Sequence, residues 1–415
     1  MSTLDLDAVD AFARAQHEGQ RRRHGAPYVE HPRAVRLFVE DLGAALGVPI
    51  DDELLAAALL HDVLEDTDTT DIDLETRFGP VVARRVRLLT KPGAEPGEDK
   101  EARSRRYFEA LLRDADDEAR LLKIADRLHN LSELHFAPDK ERAARYLKET
   151  RRYLLPLARE ASDPYAAAGL EAALTGGVRL AARLQQLDDA GACDEERVPS
   201  GLYAILDVTP DSDLDELSRL AFAATEGGAA IVQVRAKGLS DRMALAFVET
   251  VLPLARRAGA LLVVNDRADL AQVSGSDGVH LGRGDLPPPR VRPHLPPGML
   301  VGASSHSLEQ AEATVQAGGV DYVALGPVYP SPTKQGHADV TGTGALAEVA
   351  RALPLPVCAI GGITSTSRMA EVARAGAQLG AVVSALSAAP DPHLMARRLS
   401  ITYAAARAAA RWSPA

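Results

Sequence analysis

The first half of the chain carries residues of the types that bind divalent metals. Three short motifs, YVEHP, LLHDVLEDT and LLKIADRLHNL, contain His31, His61, Asp62 and Asp126. Two imidazoles and two carboxylates suit a hard-to-borderline divalent metal, with Mn²⁺ a natural candidate. In a helix around residues 54–66, Glu65 would lie one turn after His61, and Asp66 one turn after Asp62. Either carboxylate could then orient or deprotonate a water whose pKa the metal lowers.

Each of these residues also has an ordinary structural interpretation, since a lone histidine is most often a hydrogen-bonded structural residue. The adjacent His61–Asp62 pair is harder to explain in this way, because burying both groups without a partner costs several kcal/mol. Asp126 supplies a partner only if its own helix meets the first one at that point. Alternatively, the ADRLHNL segment is a surface turn with Arg127 and His129 facing solvent.

A second group of polar residues follows short apolar segments in the second half of the chain. Its members are Gln233, Arg235, Lys237, Asn265, Asp266, Asp285, Ser304, Ser331, Thr333, Lys334, Gly361, Gly362, Val383 and Ser384. Two carboxylates that leave room for water and phosphate oxygens suit Mg²⁺. Arg235, Lys237 and Lys334 would oppose the charge of a polyphosphate. The two glycines would let backbone N–H groups approach a second anion. Any one of these residues could equally be a cap or a solvated side chain, so their joint placement carries the prediction.

The apolar segments predict the element that brings these side chains together. Eight of them, LYAILD, AAIVQVR, LLVVND, GVHLG, LVGASS, YVALGP, VCAIGG and GAVVSAL, alternate with helical patterns. Strands that are apolar on both faces and separated by helices imply parallel βαβ units. A (β/α)8 TIM barrel and a doubly wound sheet share this alternation. Polar residues follow strand after strand, at the end where barrel enzymes keep their active sites, and this favours the barrel.

The first half shows apolar positions at three-to-four spacing, which predicts helices. A polar stretch, LDDAGACDEERVPSG, separates the two patterns and predicts a linker. We therefore predict a multidomain protein: an all-α domain over residues 1–190, a linker over 191–200 and an α/β barrel over 201–415. A chain of 415 residues exceeds the usual size of a single core, in agreement with two domains.

Composition excludes several classes of function. A net charge of −11 argues against a nucleic-acid binder. Two cysteines far apart in sequence, Cys193 and Cys358, give no disulfide framework and suit a reducing cytosol. The acidic N-terminus does not resemble a signal peptide, and no apolar run has the length of a membrane span. We expect a cytoplasmic protein with small-molecule substrates and no membrane partner, and a homo-oligomer is compatible with the sequence.

The segments IVQVRAK, VVNDRADLA, GVHLGRGDLP, GASSH, LGPVYPSPTK and AIGGI resemble, in order, the motifs of thiamine-phosphate synthases over residues 201–388. The resemblance implies an aminopyrimidine diphosphate site formed by Gln233, Arg235, Lys237, Asn265, Ser304 and Lys334. It implies Mg²⁺ ligands at Asp266 and Asp285. It implies a thiazole phosphate site formed by Ser331, Thr333, Gly362, Val383 and Ser384. Ser304 and Lys334 are also expected to take part in catalysis.

The implied chemistry is departure of diphosphate from a pyrimidine-methyl carbon, followed by attack of the thiazole nitrogen. It needs stabilisation of the departing anion and positioning of the second substrate. It needs no protein nucleophile, and we expect neither site to offer a cysteine. The competitor within the fold is a thiazole tautomerase, which carries out no diphosphate departure. Retention of Asn265, Asp266, Asp285 and Lys334 favours the synthase.

The segments HEGQRRRHGAPYVEHP, HDVLEDT and KIADRLHNL resemble the HD-type hydrolase domain of the Rel/SpoT alarmone enzymes over residues 5–150. The resemblance implies that the metal ligands are His31, His61, Asp62 and Asp126. Glu65 and Asp66 would handle the water. Arg22 and Arg23 would contact guanine or phosphates, and Asn130 the sugar. Ser132 and Glu133 depart from the usual Arg–Thr, so we expect part of the nucleotide pocket to differ.

The sequence thus predicts a bifunctional enzyme. The barrel would make thiamine phosphate with Mg²⁺, and the helical domain, with Mn²⁺ or a similar metal, would remove the 3′-diphosphate from a guanosine polyphosphate. Three alternatives remain for the helical domain. Its substrate is another phosphorylated nucleotide or a thiamine precursor carrying diphosphate, or the domain is a non-catalytic nucleotide sensor that regulates the barrel. A structural role for the whole chain is disfavoured by the number of converging ionisable groups.

Overall fold

The chain folds into two compact units, each described by itself below. The computed structural model describes residues 4–137, 139–187, 197–330 and 339–412. The first unit contains the described residues up to 187 together with Arg411 and Trp412, and the second contains residues 197–410. Among the described residues, no helix combines the length and the apolar character that crossing a membrane requires.

The first unit is all-helical. Its helices are α1 (Leu6–Gln16), α2 (Glu30–Leu46), α3 (Asp52–Leu60), α4 (Val63–Asp66), α5 (Asp71–Phe78), α6 (Pro80–Leu89), α7 (Lys100–Asp114), α8 (Asp117–Ser132), α9 (Lys140–Glu149), α10 (Leu155–Arg159) and α11 (Pro164–Leu184). A 3₁₀ turn at Leu134–Phe136 follows α8, and a π-helical turn at Thr150–Leu154 joins α9 to α10.

Helix α2 packs against both α3 and α8, and these three helices position the polar motifs of this unit. Leu54, Leu59 and Leu122 are buried between the helices, as the three-to-four spacing of apolar residues predicts. Aspartates cap the two shorter partners: Asp51 accepts a hydrogen bond from the N–H of Leu54, and Asp116 caps α8 in the same way.

The predicted helix around residues 54–66 is interrupted at His61–Asp62. Helix α3 ends at Leu60, and a separate turn, α4, begins at Val63. The Nδ1 atom of His61 donates to the carbonyl of Ala58 at 2.8 Å, and an uninterrupted helix would offer that carbonyl to the N–H of Asp62. The prediction of one continuous helix was therefore wrong, and Glu65 and Asp66 lie on α4.

The second unit is a barrel of eight strands with helices between them. The strands are β1 (Gly201–Val208), β2 (Ala229–Ala236), β3 (Leu261–Asn265), β4 (Gly278–Leu281), β5 (Leu300–Ser305), β6 (Tyr322–Leu325), β7 (Val357–Ile360) and β8 (Leu379–Val382). The helices are α12 (Leu214–Glu226), α13 (Asp241–Ala258), α14 (Ala268–Ser274), α15 (Pro288–Val291), α16 (Leu308–Ala317), α17 (Gly342–Ala352), α18 (Thr366–Arg374), α19 (Ser384–Ser387) and α20 (Pro392–Arg411). A 3₁₀ turn spans Arg292–His294.

Every neighbouring pair of strands is parallel, and pairing of β1 with β8 closes the barrel. The closed sheet rules out the doubly wound alternative. The inner face carries a core that includes Ile205, Ile231, Val263 and Leu379, with polar side chains above it at the C-terminal ends of the strands. The predicted fold class, an all-α domain followed by a TIM barrel, is confirmed.

Candidate active sites

In the helical unit, the four predicted metal ligands lie together although 95 residues separate the first from the last. The Nε2 atom of His31, on α2, lies 3.2 Å from Nε2 of His61 and 3.3 Å from Oδ2 of Asp62. The Nε2 atom of His61 lies 3.2 Å from the same oxygen of Asp62. Oδ1 of Asp126, on α8, lies 3.4 Å from Nε2 of His31 and 3.7 Å from Nε2 of His61. One oxygen atom of each carboxylate therefore lies within 3.7 Å of both ring nitrogens, and the ligand atoms of His31, His61 and Asp62 all lie within 4.8 Å of one another.

Neighbouring groups hold both imidazoles in place. Nδ1 of His61 donates to the carbonyl of Ala58, so its Nε2 atom faces the cluster. Nδ1 of His31 lies 2.8 Å from Nδ1 of His129, one turn after Asp126 on α8. Both His129 and Arg127 are buried, so the alternative of a surface turn at ADRLHNL was wrong. Hydrogen bonds of this kind, made by the ring nitrogen that faces away from the cation, orient histidines that bind metals.

The electrostatics of this cluster favour a cation. Burial would raise the pKa of Asp62, but His61 and His31 hold it well below its usual range. Burial would likewise raise the pKa of Asp126, but Lys123 and the two histidines hold it low. Burial would lower the pKa of His61, yet Asp62 and Asp126 raise it to about 10. Because the two ionised carboxylates create a negative potential at the ring nitrogens, the residues fit a divalent cation with mixed N and O ligands.

Lys123 is a functional neighbour that sequence reasoning missed. Its Nζ atom lies 3.0 Å from Oδ2 of Asp126, on the side of the carboxylate away from the histidines. Asn130, one turn after Asp126, donates to the Oδ1 atom at 2.6 Å. Lys123 lies three residues before Asp126, and Asn130 lies four residues after it. Side chains at these spacings are neighbours on a helix, so the sequence could have indicated both contacts.

Glu65 and Asp66 lie at the exposed edge of the cluster. Oε1 of Glu65 accepts a hydrogen bond from the backbone N–H of Lys91 at 2.5 Å, and burial raises the pKa of Glu65. The hydroxyl of Tyr28 lies 2.8 Å from Oδ2 of Asp62 and 2.7 Å from Oδ2 of Asp66, linking the two carboxylates. Tyr28 was not predicted as a site residue, although it lies in the YVEHP motif.

Arg22 and Arg23, the two arginines predicted to contact the nucleotide, lie in different surroundings. Arg22 is paired with Glu133, and its Nη2 atom also donates to Oδ1 of Asn130 at 2.9 Å. Its guanidinium lies 5.5 Å from the centroid of the Tyr28 ring. Arg23 is exposed. Glu133, the residue that departs from the alarmone enzymes, therefore neutralises one of the two predicted cations.

In the barrel unit, a pocket opens at the C-terminal ends of the strands. Its lining includes five of the predicted residues: Gln233, Arg235, Asn265, Ser304 and Val383. The lining also contains residues that were not predicted: Tyr203, Ile205, Asp207, His280, Ala324, Cys358, Ile360 and Ala381. The alternation of β1 could have indicated Tyr203, Ile205 and Asp207, because every second residue of a barrel strand faces inward.

Asp266 and Asp285 approach each other beside Gly282. A Cβ atom on Gly282 would lie 3.0 Å from Oδ2 of Asp285 and 3.8 Å from Oδ1 of Asp266. Burial and the neighbouring carboxyl of Asp266 raise the pKa of Asp285, which reports the repulsion between the two groups. Paired carboxylates at the C-terminal ends of the strands fit a hard cation such as Mg²⁺.

The backbone at Asp266 is unusual. Its φ of 64° lies in the left-handed region, which non-glycine residues rarely adopt. The N–H of Asp266 donates to the carbonyl of His280 at 2.8 Å, which ties the end of β3 to β4. This conformation turns the chain directly after the strand and is of a kind that concentrates at functional sites.

The two predicted cations at the end of β2 each have an acidic partner. Arg235 is paired with Asp207, at the end of the adjacent strand β1. Lys237, half exposed, lies 3.4 Å from Oδ2 of Asp266. The predicted aminopyrimidine diphosphate and Mg²⁺ residues of β2 and β3 therefore lie at one end of the barrel, as predicted from their positions after the strands.

Three further predicted residues, Gly362, Val383 and Ser384, lie near strands seven and eight. A Cβ atom on Gly362 would lie 2.6 Å from the carbonyl oxygen of Pro330, so only glycine fits there. Val383 follows β8 directly, and Ser384 is the first residue of α19. Ser331, Thr333 and Lys334 lie outside the described residues.

The expectation that neither site offers a cysteine was wrong for the barrel. Cys358, on β7, lines the pocket, but its side chain is almost completely buried. Burial raises the pKa of its thiol well above the usual range, so the thiolate that a nucleophile needs is disfavoured. Cys358 therefore belongs to the apolar floor of the pocket.

Two family models match the chain. The model described as thiamine monophosphate synthase matches residues 202–386, and the model described as HD domain matches residues 9–161. Thiamine-phosphate synthase of Anaeromyxobacter dehalogenans (strain 2CP-C) is 47% identical over 214 residues, 52% of this chain and 92% of that protein. Thiamine-phosphate synthase of Myxococcus xanthus (strain DK1622) is 45% identical over 204 residues, 49% of this chain and 91% of that protein.

Solved structures resemble each half. Thiamine phosphate pyrophosphorylase from Pyrococcus furiosus is 31% identical, with a TM-score of 0.44, over 50% of this chain and 96% of that one. A metazoan ortholog of SpoT that hydrolyzes ppGpp and plays a role in starvation responses is 28% identical, with a TM-score of 0.35, over 44% of this chain and 96% of that one.

Proposed function

The chain belongs to the thiamine-phosphate synthase family, and we propose that its barrel joins an aminopyrimidine diphosphate to a thiazole phosphate, forming thiamine phosphate and releasing diphosphate. The protein is an enzyme, a transferase, with a second, hydrolase-like domain. The observation that carries the proposal is the pocket in which Gln233, Arg235, Asn265 and Ser304 converge beside the paired carboxylates Asp266 and Asp285.

The proposed reaction exchanges one bond for another. The bond between the pyrimidine-methyl carbon and the diphosphate oxygen breaks, and that oxygen keeps the electron pair. The thiazole nitrogen then donates its electron pair to the same carbon. Mg²⁺ held by Asp266 and Asp285 would supply positive charge that stabilises the diphosphate.

The side chains of the barrel have three tasks in this reaction. Arg235 and Lys237 place positive charge at the pocket mouth, where the diphosphate separates. Gln233, Asn265 and Ser304 offer amide and hydroxyl groups that can hold the pyrimidine portion. Gly362, Val383 and Ser384 lie at strands seven and eight, the usual phosphate position of barrel enzymes, and with Ser331 and Thr333 would hold the thiazole phosphate, whereas Lys334 would bind the aminopyrimidine diphosphate.

Formation of thiamine phosphate from the two purified substrates tests this proposal. The full-length protein with Mg²⁺ should form thiamine phosphate and diphosphate in equal amounts, and an excess of chelator should abolish both. Asp285→Asn should lower the rate at least about 100-fold, because one carboxylate of the cation site is lost. A protein that releases no diphosphate from the aminopyrimidine substrate in the presence of thiazole phosphate would contradict the proposal.

For the helical domain we propose metal-dependent hydrolysis of the 3′-diphosphate of a guanosine polyphosphate. The supporting observation is the cluster of His31, His61, Asp62 and Asp126, whose four ligand atoms face one another. A divalent cation, proposed to be Mn²⁺, would polarise the scissile phosphate and water there. Glu65, whose raised pKa favours proton acceptance, would take the proton of the water, and Asp66 would orient it.

One observation favours a different nucleotide as a second candidate. Glu133 neutralises Arg22, so this arginine contributes less positive charge to a phosphate than an unpaired arginine would. A carboxylate beside the pocket instead suits hydrogen-bond donors, such as a sugar diol or the donor edge of a base. The exposed Arg23 remains available for a phosphate.

A nucleotide panel distinguishes the candidates. The full-length protein with Mn²⁺ should release diphosphate from ppGpp or pppGpp faster than from other phosphorylated nucleotides or from aminopyrimidine diphosphate. A higher rate with one of the other compounds would reassign the substrate. Tight binding of ppGpp without diphosphate release would instead support the sensor alternative.

The location of the protein is part of the proposal. We propose that it acts in the cytoplasm, where phosphorylated small molecules are its substrates, and that neither nucleic acid nor a membrane is a partner. The net charge of −11 supports the first exclusion, because a phosphate backbone would be repelled.

A further inference from the structure

A chain of hydrogen bonds links five residues of the barrel, four of which, Tyr203, Gln233, His280 and Ser304, line the pocket. Nε2 of Gln233, on β2, donates to the hydroxyl of Tyr203 at 2.7 Å, which lies 2.9 Å from the hydroxyl of Tyr322. That hydroxyl lies 3.1 Å from Nδ1 of His280, and Nε2 of His280 lies 2.9 Å from Oγ of Ser304, on β5. The three connecting residues come from β1, β6 and β4 and therefore cross the barrel.

The first bond sets the direction of all the others. The amide nitrogen of Gln233 can only donate, so the hydroxyl of Tyr203 accepts and directs its own proton to Tyr322. Tyr322 then donates to Nδ1 of His280, which must be unprotonated. The proton of a neutral imidazole is then on Nε2, and it is donated to Oγ of Ser304.

Burial makes this direction persistent. Tyr203, Tyr322 and His280 are each less than a tenth exposed, and a buried polar group without a partner is costly. Burial also raises the pKa of both phenols, so they remain protonated donors. Reversing the direction of one of these hydrogen bonds would require all the others to reverse, and the amide group of Gln233 to rotate.

We propose that Tyr203, Tyr322 and His280 are positioning residues that present the carbonyl oxygen of Gln233 as an acceptor and the hydroxyl of Ser304 as a donor to the ligand. The selected ligand is one with a hydrogen-bond donor at Gln233 and an acceptor at Ser304. An amino group attached to a nitrogen heterocycle supplies the first, and a ring nitrogen or a diphosphate oxygen supplies the second. This inference rests on the proposed synthase function and assigns the amino group of the pyrimidine to Gln233.

Removing one phenol hydroxyl should weaken selection of the amino group. In Tyr322→Phe, Tyr203 loses its acceptor and can turn its proton toward Gln233, whose amide then rotates its nitrogen toward the ligand. The probes are the aminopyrimidine alcohol and its counterpart without the amino group, and calorimetry on the full-length protein gives their Kd ratio. The preference for the amino compound should fall about five-fold, as for the loss of one hydrogen bond.

Tyr403→Phe is the matched control. Tyr403 is a buried tyrosine of the same unit whose hydroxyl bonds to backbone carbonyls away from the pocket, so its loss should leave the Kd ratio unchanged. Tyr203→Phe breaks the chain at another link and replaces Tyr322→Phe if that variant does not fold. An unchanged ratio in the folded variant would overturn the inference. Failure of the wild-type protein to make thiamine phosphate would instead overturn the proposed function.

Discussion

At the scale of single residues, charge decides how the helical site is built. Asp62 and Asp126 remain ionised in a buried position because histidines and Lys123 surround them. The same carboxylates leave His31 and His61 in a negative potential that favours a cation. Glu65 differs from both aspartates, since the effect of burial outweighs those of the Lys91 N–H and of Lys123, raises its pKa and suits it to accept a proton.

Glu65→Gln should remove most of the hydrolase activity and leave the fold intact. Glutamine can still accept the hydrogen bond from Lys91 but cannot take a proton, so kcat should fall about 10²- to 10⁴-fold. Burial raises the pKa of Glu65 above its usual value of 4.5. When the pH is lowered, the hydrolysis rate of the wild-type protein should therefore begin to fall while the pH is still above 4.5, because Glu65 becomes protonated. Nucleotide hydrolysis against pH measures both effects, with Glu18→Gln, at an exposed position, as the control. Retention of full activity in Glu65→Gln would exclude this residue as the base.

Lys123→Met should destabilise the helical unit by about 3 kcal/mol, because Asp126 would remain buried without its cation. Arg84→Met is the control: Arg84 pairs with Asp116, but the two side chains are 66% and 38% exposed, so its loss should cost less than about 1 kcal/mol. Urea unfolding measures both changes. The transition of the helical unit is identified as the one whose midpoint does not shift when thiazole phosphate is added. Equal changes in the free energy of unfolding of the two variants would show that burial of Lys123 does not strengthen the contribution of its ion pair to stability.

At the scale of elements, the ends of helices and strands place the reactive groups. The interruption between α3 and α4 brings His61 and Asp62 to the meeting point of α2 and α8. In the barrel, the left-handed turn after β3 directs Asp266 toward Asp285. Both sites therefore depend on places where a regular element stops.

Gly302→Ala tests the packing of β5 against the hydrogen-bond chain. A methyl group at Gly302 would collide with the ring of Tyr322 and lie 2.6 Å from Nδ1 of His280. We expect a loss of about 1–3 kcal/mol in the free energy of unfolding, as for an overpacked core, and weaker ligand binding. Gly344→Ala, at an exposed position with open space around it, should be close to neutral. Thermal unfolding compares the two, and wild-type stability of Gly302→Ala would show that Tyr322 can move freely.

At the scale of the whole molecule, the described residues proposed for each site belong to a single unit. The four predicted metal ligands of the helical site belong to the first unit, and the described barrel residues belong to the second.

The two activities should respond independently to substitution in the full-length protein. Asp285→Asn should abolish thiamine phosphate formation and leave nucleotide hydrolysis unchanged, because Asp285 acts only at the barrel cation site. Glu65→Gln should have the opposite pattern. Parallel assays of both reactions on the two variants measure this, and loss of both activities in either variant would show that the sites are coupled.

The sequence by itself determined the order of elements and most of the candidate residues. Short continuous apolar segments and three-to-four apolar patterns depend on local geometry, so they predicted eight strands after a helical half. The rule that barrel chemistry lies after the strands likewise indicated Asp266 and Asp285, which lie together.

Only the tertiary structure decided which distant side chains meet. The contacts of Lys123 and Asn130 with Asp126 are local and could have been found, but the pairing of Arg22 with Glu133 and the link from Gln233 to Ser304 join segments far apart in the chain. Spacing along a sequence specifies which face of an element a side chain occupies. It does not specify which partner on another element shares its buried space, because that depends on how the elements pack.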